Sequence, residues 1–335
     1  MNASDSERPR IGLALGGGSA RGWAHVGVIK ALAEMDIEPD LVAGTSVGAI
    51  VGAIYGLDAL EGFEEWVLRL TRRDIIGYMD LGFSPGGFFE GKRLVRTFHE
   101  NFGDAQFEDL RLPFGAVATE LDTGLEVWMR EGSVAEAVRA SMSLPGMFTP
   151  VHHNGRWLVD GGLVNPVPVS LCRAMGAERV IAVSLNGDLL GRHFRRGGTG
   201  SRQRAAERSD PNWVDRLAAG IRAHAPWLKM PPIPQMPPLP QIPYFQQMAQ
   251  FRPGARGTPA TEPGPGLMQV TANSINIMQD RITRSRMAGD PPDLLVSPRL
   301  AQIGLLEFDR AEEAIAEGEA SIRRMAPALK DLFEE

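Results

Sequence analysis

Twice between Ile11 and Leu57 the chain runs from a short apolar stretch, through a glycine-containing turn, into a stretch with helical spacing. Ile11-Gly12-Leu13-Ala14-Leu15 and Asp40-Leu41-Val42-Ala43 read as buried strands. Gly22 to Met35 carries Val26, Ile29 and Ala33 at helical intervals, and Ala49-Ile50-Val51-Gly52-Ala53-Ile54 opens a second buried helix. Strands that alternate with helices pair in parallel, and a parallel sheet has both faces covered. The 335 residues are 43% hydrophobic, ample for a core in one large or two smaller domains. Leu41 to Leu57 is the longest apolar run. It is a little short for a membrane span and is broken by Gly44, Gly48, Gly52 and Gly56, whose spacing suits a helix packed closely on a sheet.

Further strands are expected at Phe114–Thr119, Leu125–Met129, Arg179–Leu185 and Leu294–Ser297. Helices are expected at Gly62–Thr71, Lys92–Phe102, Val134–Met142, Val169–Met175, Leu267–Met287 and Ala311–Leu332. From about Asn186 to Gly266 the rhythm stops. An Arg cluster (Arg195, Arg196, Arg202, Arg204, Arg208) precedes a short amphipathic stretch with Trp213 and Trp227, then Met-Pro-Pro-Ile-Pro-Gln-Met-Pro-Pro-Leu-Pro-Gln-Ile-Pro. Proline at that density excludes helix and central strand. The expected organisation is a disordered polar start at 1–10, a catalytic core at 11–186, an Arg- and Pro-rich insertion at 187–266, and the rest of the catalytic domain at 267–335. The insertion reads either as a surface loop or, because large apolar side chains are interleaved with proline beside arginine, as an element touching a membrane or partner through 192–264.

Three short motifs carry chemistry. Gly44-Thr45-Ser46-Val47-Gly48 matches a nucleophile elbow, which exposes a serine hydroxyl on a sharp strand-to-helix turn. Gly16-Gly17-Gly18-Ser19-Ala20-Arg21-Gly22 lies between the first strand and helix, where clustered backbone N–H groups and the helix end suit a phosphate or an oxyanion equally. A dinucleotide role is disfavoured because the second strand ends in Gly-Thr-Ser with no acid for a ribose, and no Walker lysine follows the loop. Val159-Asp160-Gly161-Gly162 ends a strand-like run, and a carboxylate held there can take a serine proton. The competing arrangement is a Ser-Asp-His triad. Only His193 and His224 follow Asp160, and both fall in the insertion; with Asp122 as the acid, His152 and His153 also fit the order. None has a motif around it, so a Ser46–Asp160 dyad is the better reading. His25 sits in the first helix and reads as a packing or locally bonded residue.

Together these motifs resemble patatin-like phospholipases, in the bacterial branch related to the lysophospholipase domain of neuropathy target esterase. Phe107–Phe114, Ala140-Ser141-Met142-Ser143-Leu144-Pro145-Gly146 and Asp160–Pro168 also look typical of that branch. The resemblance covers roughly Ile11 to Leu185, with weaker signals after Gly266. It implies a three-layer α/β/α, flavodoxin-like fold with a mostly parallel sheet. It also implies Ser46 as nucleophile and Asp160 as general base, an oxyanion hole of backbone N–H groups around Gly16, Gly17 and Gly18, and Arg21 closing and ordering the glycine loop. Gly44 and Gly48 flank the nucleophile; Gly161 and Gly162 complete the Asp-Gly-Gly motif. Many relatives have a glycine where this chain has Ser19, whose hydroxyl is placed to cap the first helix.

The expected function is hydrolysis of lipid esters, of phospholipase A, lysophospholipase or esterase type, through an acyl-enzyme. The alternative is a regulatory or membrane-scaffolding protein acting through the insertion. Phe83–Phe89 reads as a pocket wall or flap, or as a buried aromatic turn. No cofactor is expected, and no metal, since no clustered ligand pattern occurs. The net charge of −6 gives no basic field for nucleic acid. The single cysteine, Cys172, and the absence of an apolar leader point to a cytoplasmic protein, with room for peripheral contact at the inner membrane face.

Overall fold

A computed structural model describes residues 8–78, 81–84, 87–89, 96, 104–187 and 267–334. All the described residues but Leu267 fall in one compact unit. The expected helix at Lys92–Phe102 (Arg96 apart) and nearly all of the expected insertion, with His193 and His224, lie outside the described residues.

Among the described residues the main sheet has eight strands: β1 (Ile11–Leu15), β2 (Leu41–Thr45), β5 (Phe114–Glu120), β6 (Glu126–Met129), β8 (Val151–His153), β9 (Arg156–Asp160), β10 (Arg179–Val183) and β11 (Leu294–Val296). Their order is β11-β10-β1-β2-β5-β9-β8, with β6 also on β5. The five strands from β11 to β5 are parallel, while β6, β9 and β8 are antiparallel additions. Helices α1 (Ala24–Ala33), α2 (Val47–Gly56), α3 (Leu60–Leu68), α4 (Arg72–Tyr78), α5 (Val134–Ser141), α6 (Val169–Ala174), α7 (Leu267–Gly289) and α8 (Ala311–Glu334) surround it. Strand side chains alternate between two cores. Leu13, Leu15, Val42, Ala116 and Ile181 pack with α1, α2, α5 and α8; Ala14, Ala43, Val117, Val180 and Ala182 pack with α6. The result is the three-layer α/β/α architecture with a mostly parallel sheet.

Register on β5 positions the site. Strand β6 runs along one edge of β5, opposite Ala116 to Thr119. The other edge is shared: β2 pairs with Phe114 to Val117, and β9 takes over at Ala118. Strands β2 and β9 therefore meet end to end, with Thr45 opposite Val117 and Asp160 opposite Ala118. Whatever follows Thr45 is brought against Asp160.

Three short strands were not evident from periodicity: β3 (Leu81–Ser84), β4 (Gly87–Phe89) and β7 (Gly146–Phe148) form a separate small sheet. The Phe83–Phe89 segment thus supplies hairpin strands joined to β7 rather than a simple turn. The first helix is also shorter than expected. Ser19–Trp23 is a 3-10 turn, and α1 starts only at Ala24. Ser19 takes a left-handed backbone, φ 54°, and neither helix start has a side-chain cap, which corrects the capping role expected of it. Among the described residues no helix is long and apolar enough to cross a membrane.

Candidate active site

Ser46 stands between β2 and α2 with φ 56° and ψ −122°. A non-glycine residue in such a region costs about 1 to 3 kcal/mol and persists only where its surroundings enforce it. Here β2 must turn into α2 within one residue while both pack against β1. A Cβ on Gly48 would lie 2.1 Å from the Leu15 carbonyl oxygen, and one on Gly44 would lie 2.4 Å from the Gly48 oxygen. Neither position admits a side chain. Hydrogen bonds hold the turn as well. Thr45 Oγ1 donates to the Asn165 carbonyl at 2.8 Å, the Ser46 N–H donates to Ser141 Oγ at 2.8 Å, and the Ala49 N–H returns to the Ser46 carbonyl at 2.9 Å. Helix α2 presents its positive end to this point.

Ser46 Oγ is half-buried and donates to Asp160 Oδ2 at 2.7 Å. Asp160 is fully buried with an ordinary extended backbone, φ −51° and ψ 130°. Its second oxygen, Oδ1, accepts the Gly162 N–H at 2.7 Å. The Asp160 N–H donates to the Ser143 carbonyl at 3.0 Å, and its carbonyl accepts from Thr119 Oγ1 at 2.8 Å. Gly161 fits directly over β5, where a Cβ would meet the Val117 carbonyl at 2.2 Å. Burial drives the Asp160 carboxyl up to about 6, partly offset by its bonds from Ser46 and Gly162.

Among the described residues no histidine hydrogen-bonds either partner. His25 Nε2 meets the Gly16 carbonyl at 2.7 Å, and burial pushes this imidazole down to about 4, so it is neutral and donates to the glycine loop. His153 pairs with Glu136 at 2.9 Å, and His152 stacks edge-on against Trp157.

The glycine loop runs beside the serine: a Cβ on Gly17 would lie 3.5 Å from Ser46 Cβ. Its amides are not all free for a ligand. The Gly16 N–H donates to the Val183 carbonyl at 3.0 Å and the Gly17 N–H to the Pro166 carbonyl at 2.9 Å. These bonds fix the loop to the ends of β10 and of the Asn165-Pro166 turn. Of the three expected oxyanion donors, Gly16 and Gly17 thus have their N–H groups engaged. Among the described residues, the N–H groups of Gly18 and Ser19 are those in the loop without an acceptor. Arg21, at the end of the loop, points into the interior. Its guanidinium is fully buried, donating to the Leu185 carbonyl at 3.4 Å and to Asn276 Oδ1 at 3.0 Å. Burial lowers it to about 10, so it stays charged while tying the loop to the scaffold.

Sequence reasoning missed two contributors. Ser141 and Ser143, at the end of α5, touch the backbone of Ser46 and Asp160 respectively. Helix α7 brings a polar face inward from more than a hundred residues away. Asn276 reaches Arg21, Gln279 accepts from Asn186 at 3.2 Å and crowds Gly162, and Arg286 donates to the Val164 carbonyl at 2.6 Å. Polar residues at 276, 279, 283 and 286 share one helical face, and that spacing was a usable signal. Val270, Ile277 and Met278 stand exposed on the same helix.

A model of the patatin-like phospholipase family matches residues 13–173. An uncharacterized NTE family protein of Mycobacterium tuberculosis is 34% identical over 353 aligned residues, covering 96% of this chain and 92% of that one. Human patatin-like phospholipase domain-containing protein 6 is 38% identical over 182 residues, 52% of this chain and 13% of that one. Neuropathy target esterase sws of Drosophila melanogaster is 35% identical over 182 residues, with the same two coverages. The solved structure of VipD from Legionella pneumophila aligns over 97% of this chain and 77% of its own at 13% identity and a TM-score of 0.36.

Proposed function

The chain belongs to the patatin-like phospholipase family, among its NTE members, and from that premise we propose that it is a serine acyl hydrolase of lipid esters. The observation that carries this reading is the 2.7 Å bond from Ser46 Oγ to a buried carboxylate, with no histidine bonded to either residue among those described. A serine hydroxyl needs an adjacent base to attack near neutral pH. An ordinary carboxylate is a weak base for that task. Asp160, raised to about 6 by burial, is still ionised at pH 7 yet much more basic than a solvated aspartate.

In the proposed reaction Ser46 Oγ bonds to the ester carbonyl carbon while its proton passes to Asp160 Oδ2. The negative charge on the former carbonyl oxygen is met by the Gly18 and Ser19 amides and by the positive end of α2. As the tetrahedral centre collapses, the carbon–oxygen bond to the alcohol breaks and Asp160 returns the proton to that alcohol. The acyl group stays on Ser46. Water then enters, gives a proton to Asp160 and bonds to the acyl carbon, and the acid leaves as Ser46 regains its proton. Phospholipid, lysophospholipid and simpler esters all fit this sequence. In the same proposal the Arg- and Pro-rich insertion at 187–266 brings the enzyme to lipid surfaces through 192–264.

Turnover of p-nitrophenyl esters and of a panel of lipids, in micelles and bilayers, tests the reading. Ser46→Ala and Asp160→Asn are expected to lose at least about a thousand-fold in kcat while remaining folded. Undiminished ester turnover by folded Ser46→Ala would overturn the assignment.

A further inference from the structure

One short stretch of chain holds both halves of the Ser46–Asp160 pair. Ser141 is the last residue of α5 and is fully buried; its Oγ accepts the Ser46 N–H at 2.8 Å. Two residues on, the Ser143 carbonyl accepts the Asp160 N–H at 3.0 Å. The stretch is itself pinned by Arg139, which donates to Ser143 Oγ at 2.6 Å and to the Thr149 carbonyl at 3.0 Å. A single anchored turn therefore sets the serine and the carboxylate relative to one another.

The contact at Ser46 differs from the rest. Interior backbone N–H groups need an acceptor, and in a sheet a neighbouring strand supplies it. Ser46 lies just beyond the end of β2, where β9 has replaced β2 along β5, and its acceptor is a side chain. Its backbone is also strained, at φ 56° and ψ −122°. Without the Ser141 hydroxyl the N–H is left unpaired, which favours rotation of Ser46 toward a common backbone conformation. That rotation carries Oγ away from Asp160 Oδ2.

Resting on the hydrolase reading above, we infer that Ser141 is a positioning residue: its hydroxyl locks the strained backbone of Ser46 so that Ser46 Oγ stays on Asp160. Ser141 makes no contact with the reacting atoms, so its loss acts on the rate of the chemical step and leaves substrate binding alone.

The test compares wild type, Ser141→Cys and Ser141→Ala by kcat and KM on a p-nitrophenyl ester, with thermal melting to establish folding. Cysteine fills nearly the same volume but is a weaker acceptor. The expected order of kcat is Ser above Cys above Ala, with Ser141→Ala down about 10- to 100-fold and KM within about twofold throughout. Should Ser141→Ala fail to fold, the Cys variant against wild type reads the same quantity. Wild-type kcat in a folded variant overturns the inference. So does a fall in kcat that is equal for Cys and Ala, or one matched by a rise in KM, since either marks a merely structural role. The hydrolase reading fails separately, if turnover survives in Ser46→Ala; the Ser141 series is read only on turnover that Ser46→Ala abolishes.

Discussion

The two halves of the site are built on opposite plans. At Ser46 the backbone is strained, φ 56° and ψ −122°, and is kept so by glycines that leave no space for a side chain and by the hydrogen bonds of Thr45 to Asn165, of Ser46 to Ser141 and of Ala49 to Ser46. At Asp160, the end of β9, φ is negative at −51°, and the distortion is electrostatic: a carboxylate sealed from solvent and raised to about 6 by burial. The nucleophile half stores its cost in geometry, the base half in charge. Adding bulk to the first half and removing charge from the second should therefore have opposite effects on stability.

The largest effect is expected from relieving nothing and adding bulk. Gly48→Ala drives a methyl group to 2.1 Å from the Leu15 oxygen and 2.9 Å from the Gly16 oxygen, both backbone atoms. Strand β1 and helix α2 must then separate, and we expect a loss of about 3 kcal/mol or more, or failure to fold. A Cβ on Gly62, in α3, would meet nothing within 4 Å, and Gly62→Ala should instead gain up to about 1 kcal/mol from helix propensity. Chemical denaturation of both variants checks the contrast; equal effects would show that the elbow is not tightly constrained.

The base half should respond with the other sign. The folded-state pKa of Asp160 is above its unfolded value of 3.8, so folding takes up a proton between pH 3.8 and about 6. The penalty for the buried charge is absent below that window and complete above it. Asp160→Asn carries no charge, so at pH 7.5 it should be more stable than wild type, by up to about 3 kcal/mol, with the gain vanishing near pH 4. Thermal melts across pH measure this. The same titration should make kcat/KM of the wild type fall about tenfold per unit below about pH 6. A variant no more stable than wild type at pH 7.5 would mean that bonds from Ser46 and Gly162 outweigh the burial cost.

The contrast also governs what could be read from the chain. The elbow is local: strand, turn, serine and helix lie within Leu41–Gly56, and each residue type reports its own constraint. The alternating strands and helices of the sheet were legible for the same reason. Asp160 was legible as a motif, but its meeting with Ser46 depends on β9 succeeding β2 along β5, a register no short window encodes. Ser141 looks like any small residue in Ala-Ser-Met-Ser, and nothing nearby marks its hydroxyl as an acceptor. The glycine loop misled in a specific way. The resemblance implied oxyanion donors around Gly16, Gly17 and Gly18, whereas Gly16 and Gly17 use their N–H groups to fasten the loop. The strands β3, β4 and β7 have three or four residues each, too few for a period-two pattern to emerge.

The smallest expected effect separates the two plans most cleanly. Thr119 Oγ1 donates to the Asp160 carbonyl at 2.8 Å, and Thr119 is buried. Like Ser141 it supplies a side-chain hydroxyl to the backbone of a site residue. Asp160 is also held by its register opposite Ala118 of β5, by the Ser143 carbonyl and by the Gly162 amide. Thr119→Val keeps the shape and deletes one of several restraints, so stability should fall by about 1 kcal/mol and kcat by no more than about threefold. Denaturation and steady-state kinetics read both numbers. A loss of kcat as large as that of Ser141→Ala would mean that the ladder along β5 does not by itself hold the base in place.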